Sequence, residues 1–154
     1  MRRPCYFLFQ CIAVDWQRFA IEPGVGRKRT QGQSVSRILL VEDDADVRLA
    51  VEHVLLDEGY EVDAAGNCQQ GRAFLDAQPY DLLLTDGRLP DGTGIELADD
   101  AAHDGVPALI ITGYAFMLRA LVPDLSQYRI LLKPLRPAEI IEAVAGMLDQ
   151  AVKN

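Results

Sequence analysis

The sequence predicts an α/β fold, doubly wound, in which five parallel strands alternate with five helices. Three observations predict it. From Arg37 onward, apolar runs of strand length (RILLV, DLLLT, VPALIIT, RILLK) recur between segments whose apolar residues keep a helical period. A helix between successive strands carries the chain back to its starting end, so the strands pair in parallel rather than as hairpins. Finally, 154 residues of which 49% are apolar suffice for one ordinary domain with a stable core.

The elements follow in order. RILLV (37–41) reads as a first buried strand, and in the helix after it Val47, Val51, Val54 and Leu55 fall at i, i+4, i+7 and i+8, with Gly59 as the stop. YEVDAA (60–65) is a short second strand, and Asn67 is placed to cap a helix over residues 68–77. DLLLT (81–85) is the third strand. Thr93 and Glu96 form a capping-box signature for a third helix running to about His103. VPALIIT (106–112) supplies the fourth strand, and the next helix, from about Tyr114, is short because Pro123 would break it. RILLK (129–133) is the fifth strand; the last helix carries Ile140, Ile141, Val144, Met147 and Leu148 on one face. Right-handed crossovers then give a flavodoxin-like sheet of order 2-1-3-4-5.

In such a sheet ligands gather at the carboxyl ends of the strands, where diverging loops leave a crevice. The residues there are Glu42, Asp43 and Asp44 after strand one, Asp86 after strand three, Thr112 at the end of strand four and Lys133 at the end of strand five. Converging carboxylates repel one another and call for a cation. An oxygen-only donor set suits a hard divalent ion, Mg²⁺, which shares its shell with phosphate oxygens. With a lysine and a hydroxyl added, the site can bind a phosphoryl group, and Asp86 is the candidate nucleophile. Taken singly, each residue has a duller reading: Asp44 as the N-cap of the first helix, Thr112 as a strand-end β-branched residue, Lys133 as a surface charge. All of them at the proper ends of four strands are hard to assign to chance. The glycines of LPDGTG are turn residues, since no Lys-Ser or Lys-Thr follows them as a nucleotide loop requires. Cys68, His53 and His103 fall on helices away from the crevice and are read as structural.

Charge divides the chain. Residues 1–36 carry six Lys/Arg against two Asp/Glu, and residues 37–154 carry nine against 21, a net −12 within the overall −8. So acidic a body repels phosphate backbones, which argues against direct DNA binding. The start, MRRPCYFLFQCIAV, loosely imitates a signal peptide. Its apolar run is too short to span a bilayer, is interrupted by Asp15, Trp16 and Arg18, and is followed by no convincing cleavage site. Three cysteines without C-x-x-C spacing suggest neither disulfides nor zinc, so the expected setting is a reducing cytoplasm with no membrane contact. Residues 1–36, ending in the Gly- and Ser-rich EPGVGRKRTQGQSVS, read as a basic, flexible extension ahead of the domain at 37–154.

Together RILLVEDDADVR, DLLLTDGRLPDGTGIEL, ALIITGYA and LLKPL resemble the receiver domain of bacterial two-component response regulators, over about residues 37–152. The resemblance implies that Glu42 and Asp43 are the acidic pair, that Asp43, Asp86 and the Arg88 carbonyl ligate magnesium, and that Asp86 is the phosphoacceptor. It implies further that Thr112 is the switch hydroxyl, that Lys133 binds the phosphoryl group, and that the Lys133–Pro134 peptide is cis. The phosphoryl group would come from the phosphohistidine of a sensor histidine kinase or phosphotransfer protein and later be lost to water. With no effector region after residue 154, a stand-alone, chemotaxis-regulator-like receiver is expected, signalling to a downstream protein target.

The chain departs from the family at Ile130, where an aromatic is usual, and Arg88 and Tyr114 are bulky at positions that influence phosphoryl lifetime. A dehalogenase-like aspartyl phosphatase would need a second acid where Arg88 stands. A receiver-shaped binding module that is never phosphorylated is the other alternative, against which the complete set Glu42, Asp43, Asp86, Thr112 and Lys133 argues.

Overall fold

The computed structural model describes residues 35–122 and 124–151, so residues 1–34 of the basic extension, and Pro123 with its helix-breaking role, lie outside the described residues. The elements are β1 (Arg37–Val41), α1 (Ala45–Asp57), β2 (Glu61–Ala65), α2 (Cys68–Ala77), β3 (Leu82–Asp86), β4 (Arg88–Leu89), β5 (Gly92–Thr93), α3 (Gly94–His103), β6 (Ala108–Thr112), α4 (Ala115–Leu121), β7 (Arg129–Leu132) and α5 (Pro137–Ala151). The main sheet is parallel throughout, in the order β2-β1-β3-β6-β7. With the small β4–β5 pair set aside, this is the expected 2-1-3-4-5 order.

The alternation of strand side chains divides the core between two faces. Ile38, Leu40, Leu82, Leu84, Leu109 and Ile111 meet Val51 and Leu55 of α1 and Ile140, Val144 and Leu148 of α5. Leu39, Val41 and Leu83 turn the other way, toward Cys68 of α2 and Leu97 and Ala101 of α3. Ile110 joins a smaller group with Ile95, Ala98 and Leu118, which seats α4. Each fully buried leucine contributes about 1.5–3 kcal/mol by leaving water, so the three consecutive leucines of β3 hold its carboxyl end rigidly in mid-sheet.

Helix ends follow local chemistry. The Asp44 carboxylate accepts from the Asp46 and Val47 amides, and Thr93 and Glu96 close the capping box of α3. At Gly59, with φ +81°, the Gly59 amide reaches the Leu56 carbonyl and the Tyr60 amide the Leu55 carbonyl. That closure takes up Tyr60, so the second strand starts at Glu61 rather than residue 60. Other expected bounds also move. Pro107 has no amide to give a ladder, and the fourth strand starts at Ala108 rather than 106. The third strand runs from Leu82 through Asp86 rather than 81–85, and the fifth stops at Leu132, one residue short of Lys133. The segment read as turn residues after Asp86 contains a two-residue hairpin, β4 paired antiparallel with β5.

Candidate functional site

β1, β3, β6 and β7 end at one edge of the sheet, and backbone bonds beyond the ladders fix their loops to each other. The Glu42 amide donates to the Ala65 carbonyl at 3.0 Å, the Gly87 amide to the Ile111 carbonyl at 3.0 Å and the Lys133 amide to the Thr112 carbonyl at 2.9 Å. The Lys133–Pro134 peptide is cis, as the resemblance implied. Glycine is required on both sides of Asp86's exit. A Cβ on Gly94 would run into the Asp86 carbonyl oxygen, and one on Gly87 would lie 2.7 Å from Thr112 Cβ.

Around this edge Glu42, Asp43, Asp86, Arg88, Tyr114 and Lys133 line a cavity of about 730 Å³. Lys133 Nζ donates to Asp86 Oδ2 at 2.7 Å and to Glu42 Oε2 at 2.9 Å. The three side chains are only 17%, 11% and 7% exposed, respectively. Asp86 Oδ1 accepts from the Arg88 amide at 3.0 Å. Oxygen atoms of Glu42, Asp43 and Asp86 all lie within 4.8 Å of one another. One ammonium serves three carboxyl groups, so the site is rich in oxygen donors and short of positive charge. That donor set fits a hard divalent cation.

The electrostatics carry the same imbalance. Burial pushes the Glu42 carboxyl up to about 7, against the hydrogen bond and charge of Lys133, while the Asp86 charge adds to the rise. Burial acts to lower the Lys133 value, but its hydrogen bonds to Asp86 and Glu42 outweigh that and raise it, so the ammonium stays charged. Glu42 is the deeper partner and the one that gives way.

Thr112 is at the predicted strand end but not at the cavity wall. It is fully buried, and its Oγ1 accepts from the Tyr114 amide at 3.0 Å. Arg88 extends outward, with its guanidinium carbon 5.9 Å from the centre of the half-exposed Tyr114 ring, within cation–π range. The structure thus gathers Glu42, Asp43, Asp86, Arg88 and Lys133 and holds Thr112 just behind them. His53 and His103 are exposed on their helices, and Cys68 is a buried free thiol that burial pushes up to about 11. Two contributors escape a reading of the sequence. Arg48 Nη1 donates to the Glu42 carbonyl at 2.6 Å, bracing the acidic loop from α1, and Asp91 binds α2 through both carboxylate oxygens. Arg48 stands six residues from Glu42, a faint signal; Asp91 and α2 are too far apart in sequence to give one.

Comparison with known proteins places this site in a familiar setting. Residues 38–145 match the model of the response regulator receiver domain. The chain is 35% identical over 122 residues to the response regulator receiver protein CpdR of Brucella abortus, covering 76% of this chain and all of that protein. It is 32% identical over 118 residues to the response regulator protein PilR of Pseudomonas aeruginosa, covering 75% of this chain but only 26% of that longer relative. Among solved structures, a CheY-like receiver domain protein from Methanospirillum hungatei superposes with a TM-score of 0.71 at 31% identity, covering 78% of this chain and 98% of that one. The receiver domain of a Pseudomonas aeruginosa sensor histidine kinase, solved with a magnesium ion coordinated in its active-site cleft, gives 0.67 at 25% identity, covering 75% and 99%.

Proposed function

Because the chain belongs to the response regulator receiver domain family, we propose that Asp86 is the carboxylate through which it takes up a phosphoryl group. An Asp86 carboxylate oxygen attacks phosphorus, the phosphorus–nitrogen bond of a phosphohistidine breaks, and an acyl phosphate forms on Asp86 as the histidine departs. The donor is a sensor histidine kinase or a phosphotransfer protein, and water later removes the group. The observation that carries this reading is the Lys133 ammonium bonded at once to Asp86 Oδ2 and Glu42 Oε2, beside the exposed Asp43. A cation already at the acceptor oxygen is positioned to bind the arriving phosphoryl oxygens.

Asp43, Asp86 and the Arg88 carbonyl would hold Mg²⁺, with Glu42 completing the acidic set. Bound there, the ion supplies positive charge that lets two anions, carboxylate and phosphoryl group, approach one another. The Thr112 hydroxyl, now bonded to the Tyr114 amide, would turn to the phosphoryl oxygens. Arg88 and Tyr114, within cation–π range of each other at the cavity wall, would restrict water and lengthen the phosphorylated lifetime. The exposed Tyr114, Phe116 and Leu132, 53%, 86% and 56% accessible, offer a downstream protein a face around α4 and β7. No described helix is long and apolar enough to cross a membrane.

Acetyl phosphate with Mg²⁺ tests this directly. Intact mass should rise by one phosphoryl group, chelation of Mg²⁺ should prevent the gain, and Asp86→Asn should abolish it. Labelling that survives Asp86→Asn sinks the assignment. Multiple turnover would point to a phosphatase, and indifference to both acetyl phosphate and beryllofluoride to a silent binding module.

A further inference from the structure

The hairpin that follows Asp86 is anchored at its tip as well as its base, and the tip anchor is Asp91. Its Oδ1 accepts from the Cys68 amide at 2.7 Å and its Oδ2 from the Gln69 amide at 2.9 Å, the first two residues of α2. The helix's own cap, Asn67, reaches only the Gln70 amide, at 2.8 Å. Three first-turn amides have no partner inside a helix at these positions. Here one is satisfied locally and two by a residue from the phosphoacceptor loop. The fit around the tip is close. A Cβ on Gly92 would lie 2.8 Å from Glu96 Oε2 and 3.1 Å from Cys68 Sγ, and Leu89 is buried against the same core face as Cys68 and Leu97. The base of the hairpin is Arg88, whose amide binds Asp86 Oδ1 and whose ladder partner is Thr93.

We propose that Asp91 is a positioning residue for the divalent cation, holding the hairpin so that Arg88 presents its backbone carbonyl to the site. The proposal rests on the functional reading above, in which that carbonyl is a ligand. With only two paired residues on each strand, the hairpin depends on its anchors for position: the buried Leu89, the bonds at its base and the Asp91 bonds at its tip. Released from α2, its tip would move, and Arg88 with it. The coupling must be reciprocal: a cation bound at the base steadies the tip, and so steadies the first turn of α2.

The experiment is calorimetric titration of the full chain with Mg²⁺. Asp91→Ala should weaken Mg²⁺ binding by about tenfold, the scale on which groups that orient metal ligands act. Asp91→Asn, which keeps one acceptor oxygen, should fall between Asp91→Ala and the wild type. Asn67→Ala removes the other cap of the same turn without touching the hairpin, so it should lower thermal stability comparably and leave Mg²⁺ affinity within about twofold. Hydrogen exchange supplies the reverse reading: Mg²⁺ should slow the Cys68 and Gln69 amides in the wild type but not in Asp91→Ala. Wild-type affinity in Asp91→Ala overturns the proposal, as does an equal loss in Asn67→Ala, which would make Asp91 a stabilising cap and nothing more. A wild-type chain that binds no Mg²⁺ overturns the functional reading and this proposal together, whereas wild-type binding with an unaffected Asp91→Ala variant overturns this proposal alone.

Discussion

At the scale of single residues the site is a contest over one ammonium. Lys133 lies between Asp86 and Glu42, and Glu42, almost wholly removed from water, has its carboxyl pushed from the ordinary 4.5 to about 7 by burial. The sign follows. A value raised in the folded chain means that the fold favours the protonated carboxyl, so this contribution to stability is complete below about pH 4.5 and is lost as pH rises through 7. Glu42→Gln, a permanent stand-in for the neutral form, should therefore match the wild type near pH 4.5 and exceed it by about 3 kcal/mol above pH 7, in chelator. Mg²⁺ should reverse the order at high pH by binding the ionised wild-type site better. Urea denaturation at pH 4.5 and pH 8, with and without Mg²⁺, reads both; a difference that does not change with pH would show that the fold does not raise the Glu42 carboxyl.

Between elements, the point of contact is Gly87, where the end of β3 meets the end of β6 and the side of α4. A side chain there would lie 2.7 Å from Thr112 Cβ, 2.8 Å from its Oγ1 and 3.2 Å from Leu118 Cδ1. The bare backbone is what lets Thr112 rest inward on the Tyr114 amide. Gly87→Ala should force Thr112 out of that position, so the Tyr114 amide loses its partner and its NMR shift moves toward the phosphorylated value before any phosphodonor is added. If that amide is unmoved, Thr112 is not held by Gly87. The contact also shows where a sequence stops being informative. β1, β3 and the capping box of α3 are legible because each is specified by neighbours within four or five residues, whether apolar runs or a Thr/Glu pair. Glu42, Asp43, Asp86 and Lys133 are legible too, because an acid or amine at the end of an apolar strand is conspicuous. The β4–β5 hairpin is not, since two residues a side carry no periodicity. Nor are the Gly87–Thr112 and Asp91–α2 contacts, whose partners lie some 25 residues apart and meet only once the sheet has formed.

For the whole molecule, a phosphoryl group on the proposed acceptor Asp86 would have to be felt on a surface that it does not touch. It would add charge and acceptor oxygens beside Lys133. Two buried hydroxyls stand close by: Thr85, whose Oγ1 donates to the Asp86 carbonyl, and Thr112, whose Oγ1 holds the Tyr114 amide and so is the one joined to α4. If Thr112 turns outward, the Tyr114 amide is released at the start of α4, and the Thr112 carbonyl carries the displacement to Lys133 at the end of β7 through their 2.9 Å bond. Ile130 cannot act as a swinging ring. It packs instead with Tyr128, Val122 and the buried Leu118 on the cluster that seats α4, so the vacated space is open to that helix through Leu118. Motion should therefore appear in the backbone of 112–118 and 130–134 and reach the exposed Tyr114, Phe116 and Leu132. With Mg²⁺ and beryllofluoride, amide shifts should change most at residues 86–90, 112–118 and 130–134, while β2 and the amino ends of the strands stay still. Thr112→Ala should keep the adduct and the response at 86–90 but lose most of the change beyond residue 113. If that variant leaves 113–134 fully responsive, the signal does not pass through the hydroxyl, and the Lys133 ammonium, drawn from Glu42 toward the phosphoryl oxygens, must pull β7 directly.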